Sequence, residues 1–278
     1  MIKLVLFNSK VSKRVPGTHF LRNLVERRSL LFQLVRRDFE QRFVGSAVGW
    51  IWGLIHPLVL LLSWTFVFQV CLKMQAPQGF DSYALFIFAG MLPWLLFQET
   101  LQRSASSLLD QANLITKTVF PSEIVPVSVF LSTLVGHLLA LSLMVVAVGV
   151  WQNRISVFLM VLPLYMFVIG LFAVGLGWIA ASLNVFLRDT AQVVSVVLTS
   201  WLYLTPIFIP EEKYPSWAHW VLTANPLYYL VRAYRTVLLT SSMPDWSDLA
   251  IAAAYGAAAF VVGGLFFRQM KRGFADVL

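Results

Sequence analysis

Charged positions divide the chain into seven long intervals free of Asp, Glu, Lys and Arg: 43–72, 82–98, 124–153, 155–187, 190–210, 214–231 and 249–267. A helix rises about 1.5 Å per residue and has roughly 30 Å of hydrocarbon to cross, so a run of about 17 or more apolar residues is a candidate membrane span. Composition removes one interval. The stretch 214–231 holds Pro215, His219, Asn225 and Pro226, and its Asn-Pro step breaks a simple helix. Six spans are expected, near 46–70, 82–99, 124–150, 155–181, 190–209 and 247–267, and the second carries Pro93.

Three segments are not simple spans. Residues 1–42 read as a cytoplasmic tail in which Leu21, Leu24, Leu30, Leu31, Leu34 and Val35 alternate with Arg22, Arg27, Arg28, Arg36, Arg37 and Arg42. That interleaving suits an amphipathic helix lying in the headgroup region, with arginines reaching phosphates; a charged tail that only orients the first span is the plainer alternative. The 100–123 stretch mixes leucines with Arg103, Asp110 and Lys117 and reads as a cytoplasmic connection with room for a short helix. Between the fifth and sixth spans, residues 211–235 predict two short helices parted at Asn225-Pro226, with Trp217, Trp220, Tyr228 and Tyr229 as headgroup anchors and Arg232 and Arg235 near water or phosphate.

Composition reinforces the membrane reading. Of 278 residues, 59% are hydrophobic and 12% charged, with a mean hydropathy of +0.76, whereas a soluble chain carries about 25% charged residues. With six spans and the amino terminus inside, sixteen Lys and Arg fall on the cytoplasmic side and five outside. A seventh span would carry Arg268, Lys271 and Arg272 to the outer side. Both termini are therefore expected in the cytoplasm, and the first span is expected to act as its own targeting signal. The net charge of +8 adjoins apolar spans, which points to an anionic membrane surface rather than nucleic acid. A single cysteine, Cys71, excludes a disulfide framework.

Catalytic motifs are missing. No HExxH occurs, the histidines at 19, 56, 137 and 219 are dispersed, and no serine lies in GxSxG, so neither a metal site nor a catalytic residue is expected. The phosphate cradle GxxxxGK[ST] is also missing, which excludes ATP hydrolysis by that route. Span interiors hold almost no carboxylates, since Glu99, Glu123 and Asp189 lie near ends, and this argues against an ion-coupled carrier. A permease driven by a separate nucleotide-binding protein fits better. Gly45, Gly49, Gly170, Gly175, Gly177, Gly263 and Gly264 read as sites of close helix approach.

Five ordered segments are more specific: FAGMLPWLLFQET at 88–100, NLITKTVFPSEIVP at 113–126, LNVFLRDTAQVV at 183–194, LYLTPIFIP at 202–210 and NPLYYLVRAYR at 225–235. In this order they resemble the permease subunit of ABC-2 polysaccharide exporters, of the O-antigen, capsular polysaccharide and teichoic acid branches, over about residues 25–270. The resemblance implies an all-α integral membrane protein: an amino-terminal interfacial helix, then a transmembrane domain over 43–270 with six transmembrane helices and short re-entrant helices between spans five and six. It further implies two copies of this chain with two copies of a cytoplasmic ATPase, which would hold the ATP and Mg2+; none is expected in this chain.

On the same resemblance, Asn113, Lys117, Phe120 and Pro121 fall in the region that meets the ATPase, and 211–235 in an outer gate. Asn184, Arg188 and Asp189 belong to a short cytoplasmic motif. The implied substrate is a polysaccharide on undecaprenyl diphosphate in the bacterial inner membrane. A hydroxyl-rich glycan needs a hydrated pathway, for which Trp94, Trp178, Tyr203 and Phe208 are candidate ring contacts, while Arg27, Arg28, Arg36 and Arg37 suit the diphosphate or anionic lipid. O-antigen is the first expectation, then capsular polysaccharide or wall teichoic acid; a drug or small-lipid exporter and a non-transporting scaffold are the alternatives.

Overall fold

The computed structural model describes residues 27–42, 44–46, 48–117, 120–153 and 155–277, and no strand occurs among them. Leu21, Arg22 and Leu24 of the expected interfacial helix lie outside the described residues, as does Arg154. The helices are α1 (Arg28–Gln41), α2 (Trp52–Trp64), α3 (Tyr83–Asp110), α4 (Ala112–Lys117), α5 (Ile124–Gln152), α6 (Leu162–Phe186), α7 (Thr190–Leu204), α8 (His219–Thr223), α9 (Pro226–Arg235), α10 (Trp246–Met270) and α11 (Phe274–Val277).

Among the described residues, five stretches are long and apolar enough to cross a membrane: Gly49–Cys71, Tyr83–Asp110, Ile124–Gln152, Val157–Phe186 and Trp246–Gly273. The fifth expected span, α7, is apolar but has only 15 residues. At about 1.5 Å per residue it measures roughly 22 Å, short of the hydrocarbon thickness. It was expected to reach residue 209, and Pro206 stops it early. The residue before a proline is driven out of the helical region, and Thr205 is extended at φ −93°, ψ 133°.

The first span starts later than expected for a backbone reason. Gly45 and Gly49 take φ of +79° and +60°, which helical L-residues avoid, and a Cβ on either would meet nothing within 4 Å. They form a turn rather than the close-packing pair expected. The hydroxyl of Ser46 accepts from the N–H of Val48 and of Gly49, and the chain becomes helical there. Past Trp64 the span widens into π turns over Thr65–Cys71, and only Pro57 in α2 is buried, so the span's surface faces lipid or another chain.

α3 is the hub. Ser82 caps it, accepting from the N–H of Leu85, and it packs against α5, α6, α7 and α9. Twenty of its 28 residues are buried. It runs unbroken through Pro93 to Asp110, so the stretch 100–123 is not the connection expected: its first eleven residues continue the second span as a rigid helix. At roughly 42 Å, α3 exceeds the hydrocarbon by about two turns.

α6 and α10 make the closest approach. A Cβ on Gly263 would lie 2.0 Å from the carbonyl oxygen of Gly175, so backbone touches backbone. Gly170 faces the Phe130 ring and Gly177 faces Ser104 in the same tight manner, as expected of packing glycines. The bundle has two distinct ends. One carries α1, the far half of α3, α4 and α11; the other carries α8 and α9.

Candidate functional site

At the α9 end, Asn225 organises the break between α8 and α9. Its side-chain oxygen accepts from the N–H of Leu227 at 3.0 Å, and Pro226 fills the first helical position, where no N–H is needed. The same oxygen accepts from Trp201 Nε1 on α7 at 3.0 Å, while the amide nitrogen donates to Thr205 Oγ1 at 2.9 Å. One buried residue thus separates α8 from α9, caps α9 and ties the break to the end of α7.

Ten residues further on, Arg235 corrects the expectation that it sits near water. It is 7% exposed and donates to three carbonyls: Phe86 at 3.1 Å, Pro206 at 2.7 Å and Ile207 at 2.7 Å. Its guanidinium lies over the Phe86 ring, 3.5 Å from the centroid. The carbonyls of Pro206 and Ile207 are groups that the early end of α7 leaves without helical partners, and the planar fork of arginine meets both at once. Gly90 leaves the room, because a Cβ there would lie 2.7 Å from Arg235 Nη2. Burial pulls the Arg235 guanidinium below its usual range, and the carboxylates of Glu211 and Glu212 oppose that shift.

Arg232 is half-buried and holds Asp248 at the start of α10 through Nε at 2.6 Å and Nη2 at 2.5 Å, and its Nη1 donates to Tyr228 at 3.2 Å. This charge-assisted pairing holds Arg232 protonated well above its ordinary range. Tyr83 on α3 donates to the carbonyl of Phe208 at 2.6 Å, and Tyr229 is buried and donates to Thr223 at 2.8 Å. Trp217 and Trp220 are 74% and 68% exposed.

The candidate pathway aromatics separate. Trp94 has no exposed surface and donates to Gln98, and Trp178 is buried and donates to the Glu123 carbonyl at 2.9 Å. Both are core members, so the expectation that they line a pathway does not hold for this chain. Tyr203 is exposed; Phe208, half-buried, stacks on Phe68 with centroids 6.1 Å apart.

At the α1 end, Arg27, Arg28, Arg36 and Arg37 are exposed and Leu34 is buried against α5. Arg36 pairs with Glu40, which raises its basicity. No local pattern announces the cross-helix charge cluster beside it. Arg103 on α3 pairs with Asp38 on α1 at 2.6 Å, and Arg42 pairs with Glu99 at 2.8 Å and donates to Thr133 on α5 at 3.0 Å. Burial lowers the basicity of Arg42, and Glu99 opposes it. Pairs 65 residues apart carry no local pattern, so only the folded arrangement reveals them.

Asn113 is exposed on α4, Lys117 ends that helix, Phe120 is half-buried and Pro121 buried. Just beyond, Glu123 pairs with Lys271 at the end of the last span at 2.5 Å. Asn184 is buried and accepts from the N–H of Ala191 at 3.3 Å across the short turn into α7, whereas Arg188 and Asp189 are exposed on that turn and form no ion pair among the described residues.

Fold and ends together define a helical protein with several helices able to span a membrane, a polar, helix-bearing surface at one end and broken helices at the other. The sequence pattern of the ABC-2 type transporter family matches residues 29–239, and the chain belongs to that family. It is 30% identical over 261 residues to the O-antigen export system permease protein RfbA of Myxococcus xanthus, covering 92% of this chain and 98% of that protein. A protein of the same name in Klebsiella pneumoniae is 27% identical over 250 residues, covering 90% and 95%. The polysialic acid transport protein KpsM of Escherichia coli is 21% identical over 243 residues, covering 86% and 92%.

Proposed function

We propose that this chain is the membrane-spanning subunit of an ATP-driven exporter that moves O-antigen polysaccharide on an undecaprenyl diphosphate carrier across the bacterial inner membrane. The observation that carries the reading is its similarity to O-antigen export permeases along nearly their whole length. Two copies of the chain work with two copies of a separate ATPase, which binds ATP and Mg2+. The α1 end faces the cytoplasm, in keeping with the sixteen-to-five distribution of basic residues. There α4, with Asn113, Lys117, Phe120 and Pro121, meets the ATPase, and Arg27, Arg28 and Arg36 attract the carrier diphosphate. Arg188 and Asp189 belong to the same cytoplasmic surface.

At the far end α8 and α9 narrow the exit, anchored by Trp217 and Trp220. Tyr203 and Phe208 are the remaining aromatic candidates for glycan contact. The test is reconstitution with the cognate ATPase in vesicles carrying a lipid-linked glycan. ATP-dependent appearance of the glycan on the opposite leaflet is expected; robust ATP hydrolysis with no glycan movement would sink the reading. Similarity to KpsM favours a capsular polysaccharide as the second reading, and parallel vesicles with the two lipid-linked glycans separate the two.

A further inference from the structure

A cavity of about 310 Å³ opens at the α1 end between three helices. Arg37, Asp38, Gln41 and Arg42 of the α1 segment form one wall, Arg103 and Asp110 of α3 form the second, and the first turns of α5 close it with Ser128. The volume matches the lower end of small-molecule sites. The lining mixes the apolar side chains of Leu34, Val125 and Val129 with three guanidiniums and two carboxylates, so it is not of one sign.

The cluster does not satisfy itself. Arg103 is consumed by Asp38 and Arg42 by Glu99, but Arg37 makes no ion pair among the described residues, and Asp110 accepts only a 3.2 Å bond from Ser106. Asp38 Oδ2 and Arg42 Nε are shielded from solvent with no hydrogen-bond partner. Position narrows the ligand further. Counting about 20 residues of hydrocarbon from Tyr83 brings α3 to the membrane boundary just before Arg103, so the cavity lies at headgroup depth.

We infer that this cavity binds the headgroup of a resident phospholipid bearing a phosphate diester and a primary ammonium, of the phosphoethanolamine type. Arg37 takes the phosphate and Asp110 takes the ammonium, while Arg42 and Asp38 stay paired with Glu99 and Arg103 behind them. Acidic headgroups without an amine leave the carboxylates facing a second anion, and a trimethylated ammonium has no N–H to donate to them. A headgroup held there ties α1 to the residues leading directly into α4. The site goes beyond the export reading and stands or falls separately from it.

The experiment is native mass spectrometry of the full chain in its purified assembled state, delipidated and titrated with phosphatidylethanolamine, phosphatidylglycerol or phosphatidylcholine of matched acyl chains. Phosphatidylethanolamine is expected to be retained at one per protomer, roughly tenfold more tightly than the other two. Arg37→Gln and Asp110→Asn, both at exposed positions, should each erase most of that preference, while Arg272→Gln, at the same end but outside the cavity, should leave it unchanged. Equal retention of the three lipids, equal loss in Arg272→Gln, or displacement of the lipid by undecaprenyl diphosphate would each overturn the assignment.

Discussion

Arg235 and Asn225 show how single side chains hold a broken helix near a membrane boundary. Unpaired backbone carbonyls there have little water to turn to, and Arg235 supplies donors to three of them. Arg235→Lys keeps the charge but loses the planar fork and the stacking on Phe86, and is expected to cost about 2–3 kcal/mol, read as unfolding in detergent. Gly90→Ala displaces the same guanidinium, so the double variant should cost less than the sum of the two singles; strict additivity would mean that the two residues act independently. At Asn225, replacement by Asp keeps the acceptor for Leu227 and Trp201 but loses the donor to Thr205, whereas Ala loses all three. Thermal midpoints should fall in the order Asn, Asp, Ala, with Ala costing at least the ~1–2 kcal/mol typical of a lost helix cap.

Among the elements, glycines of similar appearance do different things. Gly263→Ala forces a methyl group into the Gly175 carbonyl and can be accommodated only by parting α6 from α10; a loss of about 3 kcal/mol or of folded yield is expected. Gly45→Ala meets open space and bears only the strain of its positive φ, about 1–2 kcal/mol. Equal losses by size-exclusion yield and thermal melting would contradict this distinction. The sequence read both as packing glycines, because spacing reports separation along a helix and not which residues stand opposite. For the same reason the spans were legible and their ends less so. Apolar length located seven intervals, and local chemistry at Asn225-Pro226 removed one of them, but Thr205 ends α7 early through Pro206 inside a charge-free run. The continuation of α3 to Asp110 was hidden because charge appears at Glu99, and charge ends a membrane interval without ending a helix. Arg235 read as exposed since an arginine beside tyrosines ordinarily is; its partners are backbone carbonyls, which leave no mark in the side-chain sequence.

For the molecule as a whole, the shortness of α7 sets a thickness preference. A helix of roughly 22 Å beside four much longer ones and the first span leaves polar backbone from Thr205 onward within reach of hydrocarbon wherever the bilayer is thick. Stability of the reconstituted protein is therefore expected to fall as acyl chains lengthen, measured by thermal unfolding across a series of vesicles; indifference to chain length would show that surrounding protein already shields this end. The other mechanical consequence belongs to α3. One unbroken helix touches both extremities, with Tyr83 and Phe86 beneath the broken helices and Asp110 at the root of α4. A straight beam of this length pivoting by about 10° near its midpoint carries its tips roughly 4 Å in opposite directions. The two ends of the bundle thereby share one structural member, so a displacement of α3 at either end would reach the other through a single helix with no relay of intermediate parts.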